Sequence, residues 1–411
     1  MSDGAAMMRH GRLAFLLLVA VVGLNLRPFL TGVGPLAAEI GGETGLGLQG
    51  LAMLTLVPML LMGCFAFAGP WLQRRCGARP AMIAALALLA LGSFLRLYAS
   101  AGWMLLATAV LLGLGAAVVQ AIFPGVMKGR FPRHVPAVMG LYASMLMGGG
   151  AVGAQLAPFF ASISGSWHSG LAWMALPAIL ALLMAVRILP RAEEDEDGER
   201  GGTMALLRRP RTWLLMACFG LVNGGYSSAV AWMAPAYRAL GWNAAASGSL
   251  IALMACAQAA TALLLPMAVA KVPDRRSALW LTLGAQVAGF SGLAFWPQLA
   301  PVAWAMLAGA GLGGCFALMM IVALEHLPGP REAGALSALM QGGGFLIASI
   351  PPWLVAVLHD RTGGFQAGWM FHIGCVAVVS VLTVRLAPWS YADAMRQSPG
   401  ITRPVGEAGR G

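Results

Sequence analysis

The chain alternates between long apolar stretches and short polar breaks. Each apolar stretch holds about 20 mainly hydrophobic residues, the length that an α-helix needs to cross a bilayer. We count twelve such stretches, and little chain remains outside them. The pattern predicts an all-α integral membrane protein with twelve transmembrane helices, at 13–37, 49–70, 80–99, 103–126, 135–162, 169–189, 212–237, 245–270, 278–297, 301–324, 333–358 and 366–387.

The two halves of the chain repeat each other. Gly148-Gly149-Gly150 in the fifth span corresponds to Gly342-Gly343-Gly344 in the eleventh, and Gly140 and Pro158 have counterparts at the same offset of 194 residues. Duplicated six-helix units place a binding site at their interface, near the bilayer midplane. The repeat predicts two six-helix bundles, at 13–189 and 212–387.

The remaining segments are short. Residues 1–12 and 388–411 form the predicted termini, and 190–211 form a central linker with the acidic run Glu193–Asp197 and Glu199. Runs of like charge are typical of solvated segments. We interpret the acidic run as a solvated linker between the bundles rather than as a regulatory or ligand site.

Composition agrees with a membrane location. The 411 residues are 59% hydrophobic and 10% charged, whereas soluble domains carry roughly 25% charged residues. So few charges cannot cover a water-exposed surface, which excludes a soluble enzyme. Disordered chains are also excluded, because they are poor in apolar residues.

The net charge of +11 reflects orientation in the membrane. Of the 26 Lys and Arg residues, 22 fall in alternate loops or in the termini, and the four exceptions are Arg27, Arg96, Arg238 and Arg361. Loops rich in Lys and Arg remain in the cytoplasm. This bias predicts a multi-pass protein of the inner (plasma) membrane with both termini cytoplasmic. The arginines form no basic stripe interleaved with aromatic residues, so no nucleic-acid partner is expected.

No cofactor or metal site is expected. The six cysteines occur singly, and none forms the paired motifs of zinc or redox sites. The phosphate-binding motif of ATP-driven pumps is missing as well.

Arg27 is the sharpest candidate for function. It lies about fourteen residues into the first span, where a charge is unfavourable by at least roughly 2.5–3.5 kcal/mol unless it faces a cavity or a partner. Thr31 lies one turn further on the same helical face, Pro28 interrupts the helix, and Asn25 ranks below Thr31. We interpret Arg27 as the group that captures an anion. The structural alternative is that Arg27 caps the carbonyls of a neighbouring helix.

Other polar residues within the spans are candidate donors to a bound solute, although each could instead hydrogen-bond a neighbouring helix. They are Gln120, Tyr142, Asn223, Tyr226 and Gln341.

No acidic residue lies in the middle of a span. A transporter that exchanges protons for cations or drugs usually needs a buried carboxylate. Its absence favours an anionic or neutral polar solute. A coupled proton would have to involve Glu39, a histidine such as His372, or the ionisation of the solute itself.

The segment Gly69–Arg79 resembles the loop that identifies the major facilitator superfamily, although Gln73 stands where an Asp is usual and the following spacing is one residue longer. Together with twelve spans and the 6+6 repeat, it implies that fold over nearly the whole chain. The resemblance implies a gating role for the loop residues Arg74, Arg75, Arg79 and Arg275.

Asn25–Leu36 is similar to the first-helix signature of the cyanate and 2-nitroimidazole transporter branch of that superfamily, and Lys128–Pro132 and Met139–Tyr142 agree with it. This resemblance implies a secondary active transporter of small anionic or polar solutes (cyanate-like, small carboxylate or nitroimidazole-like) that works by alternating access. The expected partners are the solute, the lipid bilayer and a coupled proton, and a monomer is expected.

Two alternatives stay open: a drug or metabolite efflux transporter of the same fold, and a transporter-like sensor without flux. An integral-membrane enzyme is not expected.

Overall fold

The computed structural model describes residues 2–46, 48–190, 203–242 and 244–395, and every regular element among them is helical. The acidic run of the linker and residues 396–411 lie outside the described residues. The α-helices are α1 Ser2–Leu24, α2 Pro28–Thr31, α3 Ala37–Thr44, α4 Leu48–Phe65, α5 Gly69–Cys76, α6 Ala78–Leu95, α7 Gly102–Arg130, α8 Val135–Ser164, α9 Trp167–Ala172, α10 Ala175–Ile188, α11 Thr203–Leu207, α12 Pro210–Ala239, α13 Ala244–Ala268, α14 Arg276–Phe295, α15 Pro301–Glu325, α16 Pro330–Ala348, α17 Ile350–Thr362, α18 Gln366–Thr383 and α19 Tyr391–Met395. Three 3-10 helices add Gly34–Leu36, Arg96–Tyr98 and Pro388–Ser390.

The helices reproduce the predicted membrane architecture. Within the described residues, eleven segments are long and apolar enough to cross a membrane, and the second predicted span contains a shorter apolar helix, Met53–Phe65. Three spans are interrupted: the first between α1 and α2, the sixth between α9 and α10, and the eleventh at Ser349 between α16 and α17. Proline accounts for the first and last breaks, since Pro28 starts α2 and Pro351 lies in the first turn of α17.

Glycines let the helices pack closely. The helix α15 is buried along nearly its whole length between α13 and α14. A Cβ on Gly309 would lie 2.3 Å from the Met254 carbonyl oxygen, and one on Gly313 would lie 2.3 Å from that of Gln258. Only glycine permits such an approach of two backbones.

The two halves of the chain meet at one end of the bundle, which we call the basic end. It is the end that carries the loops after α5, α7, α13 and α15, with most of the Lys and Arg residues. The ammonium group of Lys128, at the end of α7, donates to the carbonyl oxygens of Leu324 and Leu327, at the end of α15. A Cβ on Gly125 would lie 3.2 Å from the Cα of Gly334. The basic end is therefore closed by contacts between the halves.

Candidate functional site

A break in the first span positions Arg27. The helix α1 ends at Leu24, and the amides of Asn25 and Leu26 turn back to the carbonyls of Val22 and Gly23, at 3.1 Å each. Pro28 has no N–H with which to continue the helical ladder. Arg27 is the residue that precedes α2, with φ −124° and ψ −27°.

The fifth span, α8, packs directly on this break. A Cβ on Gly149 would lie 2.3 Å from the Leu24 carbonyl oxygen, and one on Gly153 would lie 2.4 Å from the Cα of Pro28. The Thr31 hydroxyl donates to the Gly150 carbonyl at 2.7 Å. The glycine-rich face of α8 thus holds the interrupted segment in place, and Thr31 acts as a tether.

The Arg27 side chain extends between the two halves. It is 3% exposed, and its Cζ lies 5.2 Å from the ring centroid of Tyr226 on α12 and 5.9 Å from that of Phe345 on α16. Both rings belong to the C-terminal half, whereas Arg27 belongs to the N-terminal half. Cation–π contacts therefore cross the interface at this point.

One edge of the Arg27 guanidinium has no hydrogen-bond partner in the part of the chain that the structure describes. Among the described residues, its Nε and Nη2 atoms are buried and have no hydrogen-bond partner, and no ion pair involves Arg27. These two nitrogens share the edge that forms paired hydrogen bonds with carboxylate-like groups. Buried donors without partners are unfavourable, so the edge is suited to an acceptor supplied from outside the chain.

Gln120 and Gln341, two of the predicted site residues, contact each other across the two halves. The Gln341 amide on α16 donates to the Gln120 backbone carbonyl on α7 at 3.3 Å, which is another contact between the halves. The Gln120 amide donates to the Met62 sulfur at 3.0 Å. The side-chain oxygens of both glutamines are buried without a partner among the described residues. Both retain an acceptor for a solute or a water.

Tyr142 on α8 is fully buried, and its hydroxyl has no partner among the described residues. Its ring packs edge-on against Phe123, and its hydroxyl lies within electrostatic range of Arg27.

Two other predicted residues bond within their own half. The Asn25 amide donates to the carbonyls of Val21 and Pro177, at 2.7 and 3.1 Å, so Asn25 connects α1 to α10. The Asn223 amide donates to the Phe219 carbonyl at 2.9 Å, within α12. Asn25 and Thr31 are thus engaged in packing.

The predicted loop arginines have different surroundings. Arg79 donates to the Val186 carbonyl on α10 at 2.5 Å, and Arg75 lies 5.6 Å from the ring of Trp71. Arg275 forms an ion pair with Glu325 at 2.8 Å, which links the loop before α14 to the end of α15. These contacts of Arg75, Arg79 and Arg275 all stay within one half. Arg74 also has an interaction of its own.

The segment after the last span docks on the basic end. The His326 ring at the end of α15 stacks on Tyr391 of α19 at 3.8 Å, and Arg276 lies 4.6 Å from the Trp389 ring. Burial lowers the pKa of His326 to about 4. A hydrogen bond from Arg276 holds the pKa of the Asp274 carboxyl below its usual range.

Three residues of functional interest escaped the sequence analysis. Phe345 is an ordinary apolar residue in sequence, and only folding brings it to Arg27. Lys128 was assigned to membrane orientation, although it bonds across the halves. Arg96 was noted only as an exception to the charge bias. It is 1% exposed and donates to the Phe29 carbonyl of α2 and to the Thr108 hydroxyl, at 3.4 Å each. The position of Arg96 outside the basic loops was the sequence signal that could have identified it as a functional candidate.

The candidate proton carriers form no ion pair with Arg27 among the described residues. His372 is 1% exposed and stacks on Phe290 at 5.3 Å, between α18 and α14. Glu39 on α3 is exposed. No group of three His, Cys, Asp or Glu residues suited to a metal ion occurs in the part of the chain that the structure describes.

Comparison with known proteins gives concordant matches. Residues 13–352 match the model of the Major Facilitator Superfamily. The chain is 41% identical over 373 residues to the cyanate transport protein CynX of Escherichia coli (strain K12), covering 91% of this chain and 97% of the relative. It is 27% identical to the 2-nitroimidazole transporter of the same strain, covering 93% and 96%. Its fold is similar to that of the proton:xylose symporter XylE, with a TM-score of 0.73, 12% identity, and coverage of 91% of this chain and 95% of the other.

Proposed function

Because the chain belongs to the Major Facilitator Superfamily, we propose that it carries a small anion, or a polar solute with carboxylate-like acceptor atoms, between its two halves. The observation that carries this proposal is the buried Nε and Nη2 edge of Arg27, which has no hydrogen-bond partner among the described residues. Cyanate, small carboxylates and nitro groups all present terminal acceptor atoms to such an edge. Cyanate is the first solute to test, because the relative with 41% identity is named as a cyanate transport protein.

We propose that the other site residues contribute to this edge or support it. Tyr226 and Phe345 approach the guanidinium from the C-terminal half, and Gln120, Gln341 and Tyr142 have buried polar atoms without a partner among the described residues. Asn25 and Thr31 hold the broken helix. Asn223 lies one turn before Tyr226 on α12 and is the weakest member of the set.

The direction of access follows from charge. We propose that the basic end faces the cytoplasm, because loops rich in Lys and Arg stay on that side. In this arrangement the termini are cytoplasmic and the contacts of Lys128 close the cytoplasmic entrance. Rocking of the halves around Arg27 would then open either side in turn. A single chain supplies both halves of the site, so a monomer suffices, and the solute crosses without chemical conversion.

The test is uptake of labelled cyanate into proteoliposomes. Each charge-assisted hydrogen bond contributes about 1.5–3 kcal/mol, so Arg27→Met and Arg27→Lys should lower the uptake rate at least about tenfold at equal protein content. Arg238→Gln is the matched control, because Arg238 is an exposed arginine near the end of a span, and it should transport normally. Normal uptake by Arg27→Met would overturn the proposal. Saturable binding without any flux would favour a sensor, and flux of unrelated drugs in place of anions would favour the efflux alternative.

A further inference from the structure

No acidic side chain among the described residues pairs with the charge of Arg27. Its guanidinium contacts two uncharged rings, and no ion pair reaches it among the described residues. Two acidic residues at the basic end form ion pairs with other arginines: Glu325 pairs with Arg275, and Asp274 pairs with Arg276. The sequence places every acidic residue outside the middle of the spans. A bound anion is therefore the natural counter-charge of Arg27.

The side chains that could carry a compensating proton form no ion pair with Arg27 among the described residues. His372 packs against Phe290 inside the C-terminal half, and Glu39 is exposed on α3. Binding a proton to either side chain would add positive charge, whereas the site needs negative charge.

The unpaired charge of Arg27 makes the conformational change harder for the unloaded protein than for the loaded protein. To expose the site on alternate sides, the halves must close over Arg27 and exclude water from its polar edge. Burying an unpaired charge is strongly unfavourable, and a hydrogen-bonded anion removes most of the penalty. The loaded protein therefore passes through the closed arrangement readily, and the unloaded protein passes through it slowly.

We propose that this protein is an anion exchanger: each reorientation requires an anion on Arg27, so one anion enters only as another leaves. The inference rests on the proposed function and adds its mode of operation. Exchange of one monovalent anion for another moves no net charge. The rate should therefore depend on the anion inside the vesicle and be independent of membrane potential.

The experiment measures labelled cyanate entering proteoliposomes that contain either unlabelled cyanate or only sucrose and a zwitterionic buffer, without a small anion. Entry into cyanate-loaded vesicles should be at least about tenfold faster, a ratio that corresponds to about 1.4 kcal/mol in the barrier. A potential imposed with potassium and valinomycin should leave the exchange rate unchanged. An inward proton gradient should not drive accumulation into vesicles that contain sucrose without a small anion.

Three results would overturn the inference: similar rates with cyanate and with sucrose inside, accumulation driven by the proton gradient, or a rate that follows the membrane potential. Each of them still involves cyanate flux, so the proposed function would survive. Absence of cyanate binding and of flux in every arm would instead reject the proposed function and the inference with it. The wild-type protein is used in all arms, so misfolding of a variant cannot produce these outcomes.

Discussion

At the scale of single residues, hydrogen-bond partners distinguish side chains that support the site from those available to a solute. Asn25, Thr31 and Arg27 occur within seven residues of one another in a broken helix. The first two donate to carbonyls of neighbouring helices, whereas one edge of Arg27 has no partner among the described residues. The sequence alone predicts a functional role for Arg27, because a charge within a span is unfavourable. It could not separate tethers from ligands, because the two roles differ only in the atoms that face them.

Arg96 is expected to position the site without contacting solute. Its guanidinium donates to the Phe29 carbonyl, close to Arg27 along the chain. Arg96→Met removes this long hydrogen bond, and the binding free energy of the solute should become less favourable by about 1 kcal/mol. This loss corresponds to about a fivefold lower affinity. We expect a KM for cyanate raised about fivefold, with partial rescue in Arg96→Lys. Since Arg96→Met also removes a buried charge, its thermal stability should be retained. An unchanged KM would show that Arg96 is only a packing residue.

His326 should make stability depend on pH. Its pKa of about 4 in the folded protein lies below the ordinary 6.5, so between these values the unfolded chain binds a proton that the folded chain does not. Stability is therefore full above about pH 6.5 and falls as the pH drops towards 4, by at most about 3 kcal/mol. The unfolding temperature in detergent should fall less for His326→Gln than for wild type between pH 7 and pH 5. The control is His134→Gln, because His134 is exposed. Equal decreases in all three proteins would contradict the assignment.

At the scale of elements, the two glycine triplets pack on equivalent spans in the two halves. Gly149 on α8 meets the end of α1, and Gly343 on α16 meets Met216 on α12. The repeat in the sequence predicted this equivalence between the fifth and eleventh spans. The interruption of α1 was also predictable, because proline leaves few alternatives. The break at Ser349 was not predicted, although Pro351 and Pro352 within the apolar run 333–358 are a signal for it in the sequence.

Alanine substitutions within one triplet should show whether a glycine is needed for close packing of two helices or is replaceable within its helix. A Cβ on Gly149 would lie 2.3 Å from the Leu24 carbonyl oxygen, whereas one on the neighbouring Gly148 would have nothing within 4 Å. Gly149→Ala should therefore destabilise the protein by about 1–3 kcal/mol through overpacking and reduce transport. Gly148→Ala should leave both properties unchanged. Thermal unfolding and cyanate uptake measured on the pair provide the check, and identical behaviour of the two variants would be contrary to the packing described.

At the scale of the whole molecule, the contacts between the two halves could not be predicted from the sequence. The lengths of the apolar runs predicted the spans, because a run depends on residues local in the chain; the orientation drawn from the charge bias stays a prediction. The contact of Lys128 with α15 joins residues about 200 positions apart. The approach of Phe345 to Arg27 is similarly remote in sequence. Neither residue type identifies its partner without the packing.

Lys128 should stabilise closure of the basic end. Its ammonium group bonds to carbonyls at the end of α15, and such charge-assisted bonds contribute about 1.5–3 kcal/mol. Lys128→Met should shift the equilibrium towards opening at this end at least about tenfold. Spin labels at positions 133 and 332, which are exposed residues on opposite halves, should then show a longer distance population. Lys271→Met is the control, because Lys271 is exposed. An unchanged distance distribution in Lys128→Met would contradict the closing role.

The central claim is that the unpartnered edge of Arg27 is the anion site between the halves. Equilibrium binding of labelled cyanate to the purified protein tests this directly, because binding is measured apart from flux, orientation and coupling. We expect saturable binding at one site per chain in wild type and in Arg238→Gln, and loss of that binding in Arg27→Met despite an unchanged unfolding temperature. Cyanate binding of equal affinity in Arg27→Met would contradict the account.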